Sequence, residues 1–205
     1  MKRYLTGLSM ILWLGAVGLF ALPLDLGVKG GLVFSNFRFS GQLAETWKNL
    51  VSLRIGAFAS FRIFKNIYLQ PEFLYSRNGA RFMGTYDGAG AEVREHLSYL
   101  EFPLLAKMRF SLRDDFSLSV LAGGFGSLKI GAKSVVEYGG ESSEEDIKDE
   151  IKPLDFGVVF GAELGWKRWV FDIRCALGLA DLKEQDTSGN RVYNRALAFM
   201  LGYRF

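Results

Sequence analysis

The strongest constraint on the fold is a two-residue alternation in the last thirteen residues, YNRALAFMLGYRF. One face is large and apolar apart from a single arginine, and the other face is small or polar. The first face holds Tyr193, Arg195, Leu197, Phe199, Leu201, Tyr203 and Phe205, and the second holds Asn194, Ala196, Ala198, Met200, Gly202 and Arg204. A period of two indicates a β-strand whose two faces meet different surroundings.

The same alternation recurs in seven earlier segments, which are predicted strands at 24–35, 51–63, 67–76, 100–110, 116–123, 154–166 and 169–180. The fifth of these is expected to continue toward Tyr138. Short turns at Lys65–Asn66, 113–115 and 167–168 alternate with predicted long loops at 40–49, 80–95, 139–153 and 181–191. Most predicted strands reach the roughly 9 to 11 residues that cross a bilayer at a tilt. An even count with alternating short and long connections predicts an eight-stranded antiparallel up-and-down transmembrane β-barrel, with short periplasmic turns and long extracellular loops.

The N-terminus has the layout of a secretory signal peptide. Lys2 and Arg3 precede an apolar run from 5 to 22, and Ala21 offers a small residue for cleavage. We therefore predict a signal peptide over 1–21 and a barrel domain over 22–205. The alternative is a membrane-anchor helix that is retained.

Apart from Arg195, the charges of the predicted strands lie on their small and polar faces. They comprise six acidic and seven basic residues: Asp25, Lys29, Arg54, Arg62, Glu72, Glu101, Lys107, Arg109, Asp155, Glu163, Asp172, Arg174 and Arg204. Charged groups on the lipid side each cost several kcal/mol near the midplane, about 2 to 4 for Arg or Lys. Inside an eight-stranded barrel, whose interior side chains fill, the same groups can pair. The sequence predicts an apolar exterior with aromatic belts and a lumen plugged by a structural charge network. A narrow path for ions through these charges is the alternative.

Composition excludes several classes of function. The net charge is only +3 and is evenly spread, so no nucleic-acid partner is expected, and Cys175 is the single cysteine, so no intramolecular disulfide forms. No catalytic, cofactor-binding or metal motif is present: His96, the one histidine, has only Glu95 and Ser98 beside it as candidate partners. We expect no enzyme activity, no cofactor and no metal. The acidic segment 139–153 is read as a solvated loop, with divalent-cation binding as the sharper hypothesis.

Four segments carry a resemblance to a known family. GVKGGLVFSNF (27–37), LQPEFLYSRNGARF (69–82), LSYLEFPLLAKMRF (97–110) and LGYRF (201–205) resemble the PorT-like outer-membrane β-barrel family, although Val33 stands where that family often has Asn. The resemblance implies a cell outer-membrane location of Gram-negative type. It also implies that Tyr203 and Phe205 form the terminal signal read by the barrel-assembly machinery during biogenesis.

The predicted function is that of an integral outer-membrane protein of structural or interaction type. Its partners would be outer-membrane lipid, the assembly machinery and an extracellular partner reached through loops 40–49, 80–95, 139–153 and 181–191. A small pore or transporter is the alternative. A secreted carrier of lipocalin type is a third reading, and it requires ionised groups outside and an apolar cavity inside.

Overall fold

The structure, a computed structural model, describes residues 24–39, 47–86, 89–139, 141–183 and 191–205. The strands are β1 Leu24–Phe39, β2 Trp47–Phe64, β3 Ile67–Tyr86, β4 Ala89–Arg113, β5 Phe116–Tyr138, β6 Glu141–Asp146, β7 Leu154–Trp166, β8 Trp169–Gly178 and β9 Val192–Arg204. A 3-10 turn spans Lys148–Glu150. The predicted signal peptide, 1–21, lies outside the described residues. Within them, no helix has the length and apolar character needed to cross a membrane.

Eight of these strands close into a ring. Their order is β4-β3-β2-β1-β9-β8-β7-β5, every pairing is antiparallel, and β4 pairs with β5 to close the circle. The terminal strand β9 closes against β1 from Gly27↔Arg204 to Phe39↔Val192. The predicted eight-stranded antiparallel up-and-down barrel is confirmed.

The strands are staggered around the ring. We start at Leu118 of β5 and step from each residue to its paired residue on the next strand. One full circuit of the barrel ends at Leu128 of the same strand, ten residues further along. Such a stagger corresponds to strands tilted by about 40° from the barrel axis. The ring is consequently narrow enough for interior side chains to fill it.

The two faces of the wall have the predicted orientation. In β9, Ala196, Ala198 and Met200, which belong to the predicted inner face, are buried, whereas Leu197, Phe199 and Leu201 are 40–45% exposed. The same alternation of exposed and buried residues runs along β7 and β8. An apolar surface of this extent requires an apolar environment, because soluble proteins expose only small contiguous patches.

Aromatic side chains gather at the short-turn end of the wall. Phe116 stacks on Trp166 with ring centroids 6.2 Å apart, and Trp169 meets Tyr203 edge-on at 5.1 Å. This end therefore has the interfacial belt that was expected. At the opposite end the expectation is only partly met, since Trp47 packs against buried residues at the barrel mouth.

The predictions of long loops at 80–95 and 139–153 are wrong. Residues 80–95 are almost entirely strand, because β3 continues to Tyr86 and β4 starts at Ala89, with pairing from Gly79↔His96 to Tyr86↔Ala89. Segment 139–153 contains β6 and the 3-10 turn. Glycines and charges favour loops locally, but here the backbone is satisfied by strand pairing: β4 pairs with β3 on one side and with β5 on the other, and β6 pairs with β5. The predicted loop 40–49 is shorter, as β2 starts at Trp47, and residues 40–46 and 184–190 lie outside the described part.

The strand β6, which lies outside the ring of eight, extends the sheet above the barrel wall. Both β6 and β7 run antiparallel to β5, with β6 beside Lys133–Tyr138 and β7 beside Phe116–Leu128. Above Leu128, β5 continues for ten residues, or about 34 Å along the strand. We call the upper parts of β3 (77–86), β4 (89–98) and β5 (131–138), together with β6, the projecting sheet.

Candidate functional site: the filled lumen and the projecting sheet

The lumen is organised around four charged side chains. Lys29 Nζ lies 2.6 Å from Glu72 Oε1 and 3.1 Å from Asp172 Oδ2. Arg174 Nη1 lies 2.8 Å from Glu72 Oε2, and the same guanidinium also pairs with Asp172. The group contains two bases and two acids, and Gln70 donates a further hydrogen bond to Glu72. A buried, neutral and hydrogen-bonded cluster of this kind avoids the cost of an isolated charge.

Two further ion pairs fill the lumen on either side of this cluster. Lys107 Nζ contacts both carboxylate oxygens of Glu163, at 3.0 and 3.1 Å. Arg54 Nη2 lies 3.1 Å from Glu101 Oε1, and its Nε donates to the Ser76 hydroxyl. All four charged side chains are buried. The interior of the wall is thus cross-linked by polar contacts between strands that are far apart in sequence.

Four of the predicted lumen residues lie at the short-turn rim. Arg109 Nη2 is 3.0 Å from Asp25 Oδ2, Arg204 Nη1 is 3.8 Å from the same oxygen, and all three side chains are partly exposed. Arg62 departs from the expected placement. Its side chain is exposed beside the turn at Lys65, where the β2–β3 register shifts. The alternation assigns Arg62 to the interior face but cannot show that the strand has already reached the rim.

Asp155 differs from the other buried lumen acids. Its side chain is buried, and Asn194 Nδ2 donates to Oδ2 at 2.8 Å. The second oxygen, Oδ1, has no hydrogen-bond partner, and no ion pair to Asp155 is found in the described part of the chain. The two-residue alternation predicts an interior position for Asp155, but it does not predict whether a basic side chain lies beside the carboxylate.

An apolar cluster closes the mouth of the lumen. We call it the mouth cluster, and it comprises Phe37, Ala80, Leu97, Tyr99, Ala132, Ile147, Leu182 and Val192. Ile147 and Leu182 enter from the segments after β6 and β8, and Ile151 forms a bridge with Lys183 between these two segments. Lys129 Nζ donates to the carbonyl groups of Lys148 and Ile151, which holds the first segment inward. Sequence reasoning read both segments as external loops.

The projecting sheet carries exposed ion pairs on its own surface. Arg94 binds Glu92 through Nε at 2.9 Å and Glu137 through Nη2 at 3.0 Å, and Lys133 pairs with Glu144. The hydrogen bond from Arg94 holds the pKa of Glu92 below its ordinary value. Along β6 all six side chains are exposed, and in the described sheet this strand has a partner on one side only, β5.

His96 lies on the projecting sheet, within β4. It pairs across the strands with Gly79 and Lys133, and its Nδ1 is buried without a hydrogen-bond partner. The Ser98 hydroxyl accepts from Tyr75, at 3.4 Å. Burial, with Arg77 and Arg94 nearby, lowers the pKa of His96. In the described residues, no group of three His, Cys, Asp or Glu side chains has a geometry suited to a metal ion.

Known structures of similar architecture share little sequence with this chain. The Yersinia pestis attachment invasion locus protein Ail is 14% identical, with 88% of this chain and 98% of that chain covered at a TM-score of 0.42. Neisserial surface protein A is 13% identical, with coverage of 88% and 97% and a TM-score of 0.44. Escherichia coli outer membrane protein W is 15% identical, with coverage of 90% and 100% and a TM-score of 0.40.

Comparison at the level of sequence identifies the family. None of the curated protein sequences matches this chain. The family model described as "Outer membrane protein beta-barrel domain" matches residues 19–184, most of the chain. Together with the closed ring, the apolar exterior and the charged interior, this match shows that the chain belongs to the outer membrane protein β-barrel domain family.

Proposed function

We propose that this protein is a structural and interaction protein of the outer membrane, in which a closed barrel holds the projecting sheet outside the cell. The observation that carries the proposal is the state of the lumen. Its central charges, from Lys29, Arg54, Glu72, Glu101, Lys107, Glu163, Asp172 and Arg174, are buried and paired, and the mouth cluster covers them. A passage for solutes would require these side chains to move apart at a cost of several kcal/mol for each separated pair.

The projecting sheet is the part best suited to meet a partner. It extends the wall by about 30 Å along its strands, and its outer strand β6 leaves one backbone edge unpaired among the described strands. Such an edge can accept a strand from another chain. The acidic side chains of β6 would favour a basic partner segment. The described parts of the segments 40–49, 80–95, 139–153 and 181–191 lie at the same end of the barrel.

A small pore is the alternative function, and planar-bilayer recording on purified protein separates the two. We expect no discrete conductance steps, because the lumen is filled. A stable ohmic conductance that Arg109→Ala abolishes would overturn the proposal in favour of the pore. A lipocalin-type carrier is not supported, since it needs the opposite assignment of faces.

A deletion tests the role of the projecting sheet. A short turn replacing 83–92, combined with one replacing 134–145, would keep the strand pairs Phe82↔Val93 and Lys133↔Asp146 and all residues of the mouth cluster. The heat-modifiable shift on gels then checks that the barrel has folded. We expect the variant to fold and to lose a surface phenotype such as cell adhesion. A folded variant with undiminished surface binding would contradict the proposal.

Biogenesis gives two further parts of the proposal. We infer export through the predicted signal peptide and assembly through Tyr203 and Phe205, the exposed last residue of the chain. In support, Tyr203 and Phe205 pack edge-to-face at 6.1 Å on the barrel surface, where a binding groove could reach them. Deletion of Phe205 should lower the yield of assembled barrel in cells. We infer no catalytic activity, and the narrower resemblance to PorT-like proteins stays a prediction.

A further inference from the structure

Two arginines stand on the lipid-facing surface of the barrel. On β9, Arg195 interrupts the apolar outward face, and on the neighbouring strand β1 Arg38 also points outward; both side chains are exposed. Because Asn36 pairs with Arg195 and Arg38 pairs with Tyr193, the two arginines are diagonal neighbours on one face. Diagonal neighbours lie about 7 to 8 Å apart, a spacing at which two guanidinium groups can share one phosphate.

Their height on the barrel matches the outer membrane interface. Arg195 lies eight residues along β9 from Tyr203, which belongs to the aromatic belt at the short-turn end. Eight residues tilted by about 40° rise roughly 20 Å, close to the roughly 25 Å height of the apolar band of such barrels. Arg195 and Arg38 therefore lie where the headgroups of the outer leaflet begin.

No acidic side chain compensates these charges within the described residues. The Arg38 guanidinium lies over the Tyr193 ring, 5.0 Å from its centroid, and neither Arg38 nor Arg195 forms an ion pair with a described residue. By contrast, Arg94 and Lys133 on the projecting sheet are both paired with glutamates. A charge at the edge of the hydrocarbon region calls for an anion, and the described residues supply none to this pair.

A groove connects the arginines to the apolar wall below them. Its volume is about 620 Å³, and its lining includes Asn36, Arg38 and Arg195 at one end and Phe34, Leu197 and Phe199 at the other. Phe34 and Phe199 meet edge-on at 5.9 Å and form its apolar floor. The groove is thus polar at headgroup height and apolar toward the membrane interior.

We propose that this groove binds a lipid with an anionic phosphate headgroup. The phosphate bridges Arg38 and Arg195 through charge-assisted hydrogen bonds, and an acyl chain lies against Phe34, Leu197 and Phe199. The polarity gradient favours a lipid over a soluble phosphate, because a soluble anion would leave the apolar half of the groove without an occupant.

Native mass spectrometry of the full chain in zwitterionic micelles tests the proposal, with equal amounts of dioleoyl phosphatidic acid and dioleoyl phosphatidylcholine as probes. We expect selective retention of phosphatidic acid. Each of Arg38→Gln and Arg195→Gln should reduce that retention about fivefold, and the double variant about 25-fold. A matched control, Arg62→Gln with Arg113→Gln, removes two exposed arginines from the opposite rim and should leave retention unchanged.

Cys175 gives an independent readout, since it lines the groove. Bound phosphatidic acid should slow modification of its thiol by N-ethylmaleimide, and inorganic phosphate should not. Equal retention of the two lipids, unchanged retention in the double variant, or displacement of the lipid by inorganic phosphate would each overturn the proposal. The heat-modifiable gel shift confirms folding, and the single variants serve if the double variant does not fold.

Discussion

The lumen and the projecting sheet both contain ion pairs between basic and acidic side chains, but these pairs are buried in the lumen and exposed to water on the sheet. In the lumen, Lys29, Glu72 and Arg174 are almost fully buried, whereas Arg94 and Glu137 on the sheet keep 35% and 44% of their side-chain surface exposed. Water screens the second set, so each pair there contributes about 0.2 to 1 kcal/mol. Loss of one partner in the lumen leaves a buried charge alone, which costs about 3 to 5 kcal/mol. Burial decides what a salt bridge contributes.

The largest effect should come from replacing a paired carboxylate of the lumen by an amide. Glu72→Gln removes the charge shared by Lys29 and Arg174, so it should lower the free energy of unfolding by about 3 to 5 kcal/mol. Asp155→Asn makes the same chemical change at a buried acid without an ion-pair partner in the described chain, and should cost little or stabilise. Urea titrations of protein refolded into lipid vesicles measure both. If Glu72→Gln and Asp155→Asn lowered the free energy of unfolding equally, the stability contribution of a buried acid would not depend on its ion-pair partners.

A smaller effect is expected at the mouth cluster. Leu182 is 1% exposed, so Leu182→Ala should destabilise by about 2 to 4 kcal/mol through a cavity. Leu179→Ala is the control, because Leu179 is 51% exposed and leaves no comparable void. The same titrations apply. If the two variants behave alike, the mouth cluster is not a packed lid and the filled lumen loses its cover.

The smallest effect should be on the projecting sheet. Arg94→Ala should change the free energy of unfolding by about 0.5 kcal/mol, and added salt should reduce the difference. Because Arg94 lowers the pKa of Glu92, the stabilisation is present above the ordinary pKa of 4.5 and is lost as pH falls through the lowered pKa. Amide hydrogen exchange in the sheet between pH 3 and 7 would detect this. A loss of protection on raising the pH instead would contradict the sign.

Local pattern was enough for the wall of the barrel but not for its upper part. The bounds predicted for 154–166 agree with β7, and the turns at Lys65–Asn66 and 167–168 lie where expected. The loop predicted at 80–95 is wrong because glycine and charge are loop signals only when no neighbouring strand pairs with the segment, and here β4 pairs with β3 on one side and with β5 on the other. Ile147 and Leu182 were misread as loop residues because their burial depends on the closed ring beneath them.

The sequence by itself determined the strands of the barrel wall and their two faces, since a side-chain period of two is a local property of the backbone. Only the tertiary structure decided which charges pair, because partners such as Glu72 and Arg174 are 102 residues apart and meet through the stagger of the ring. It also decided that β3 to β6 rise above the wall, that Arg62 lies at the rim and that Asp155 is left without a cation. Each of these depends on how far one strand slides past its neighbour, and no alternation within a single strand carries that information.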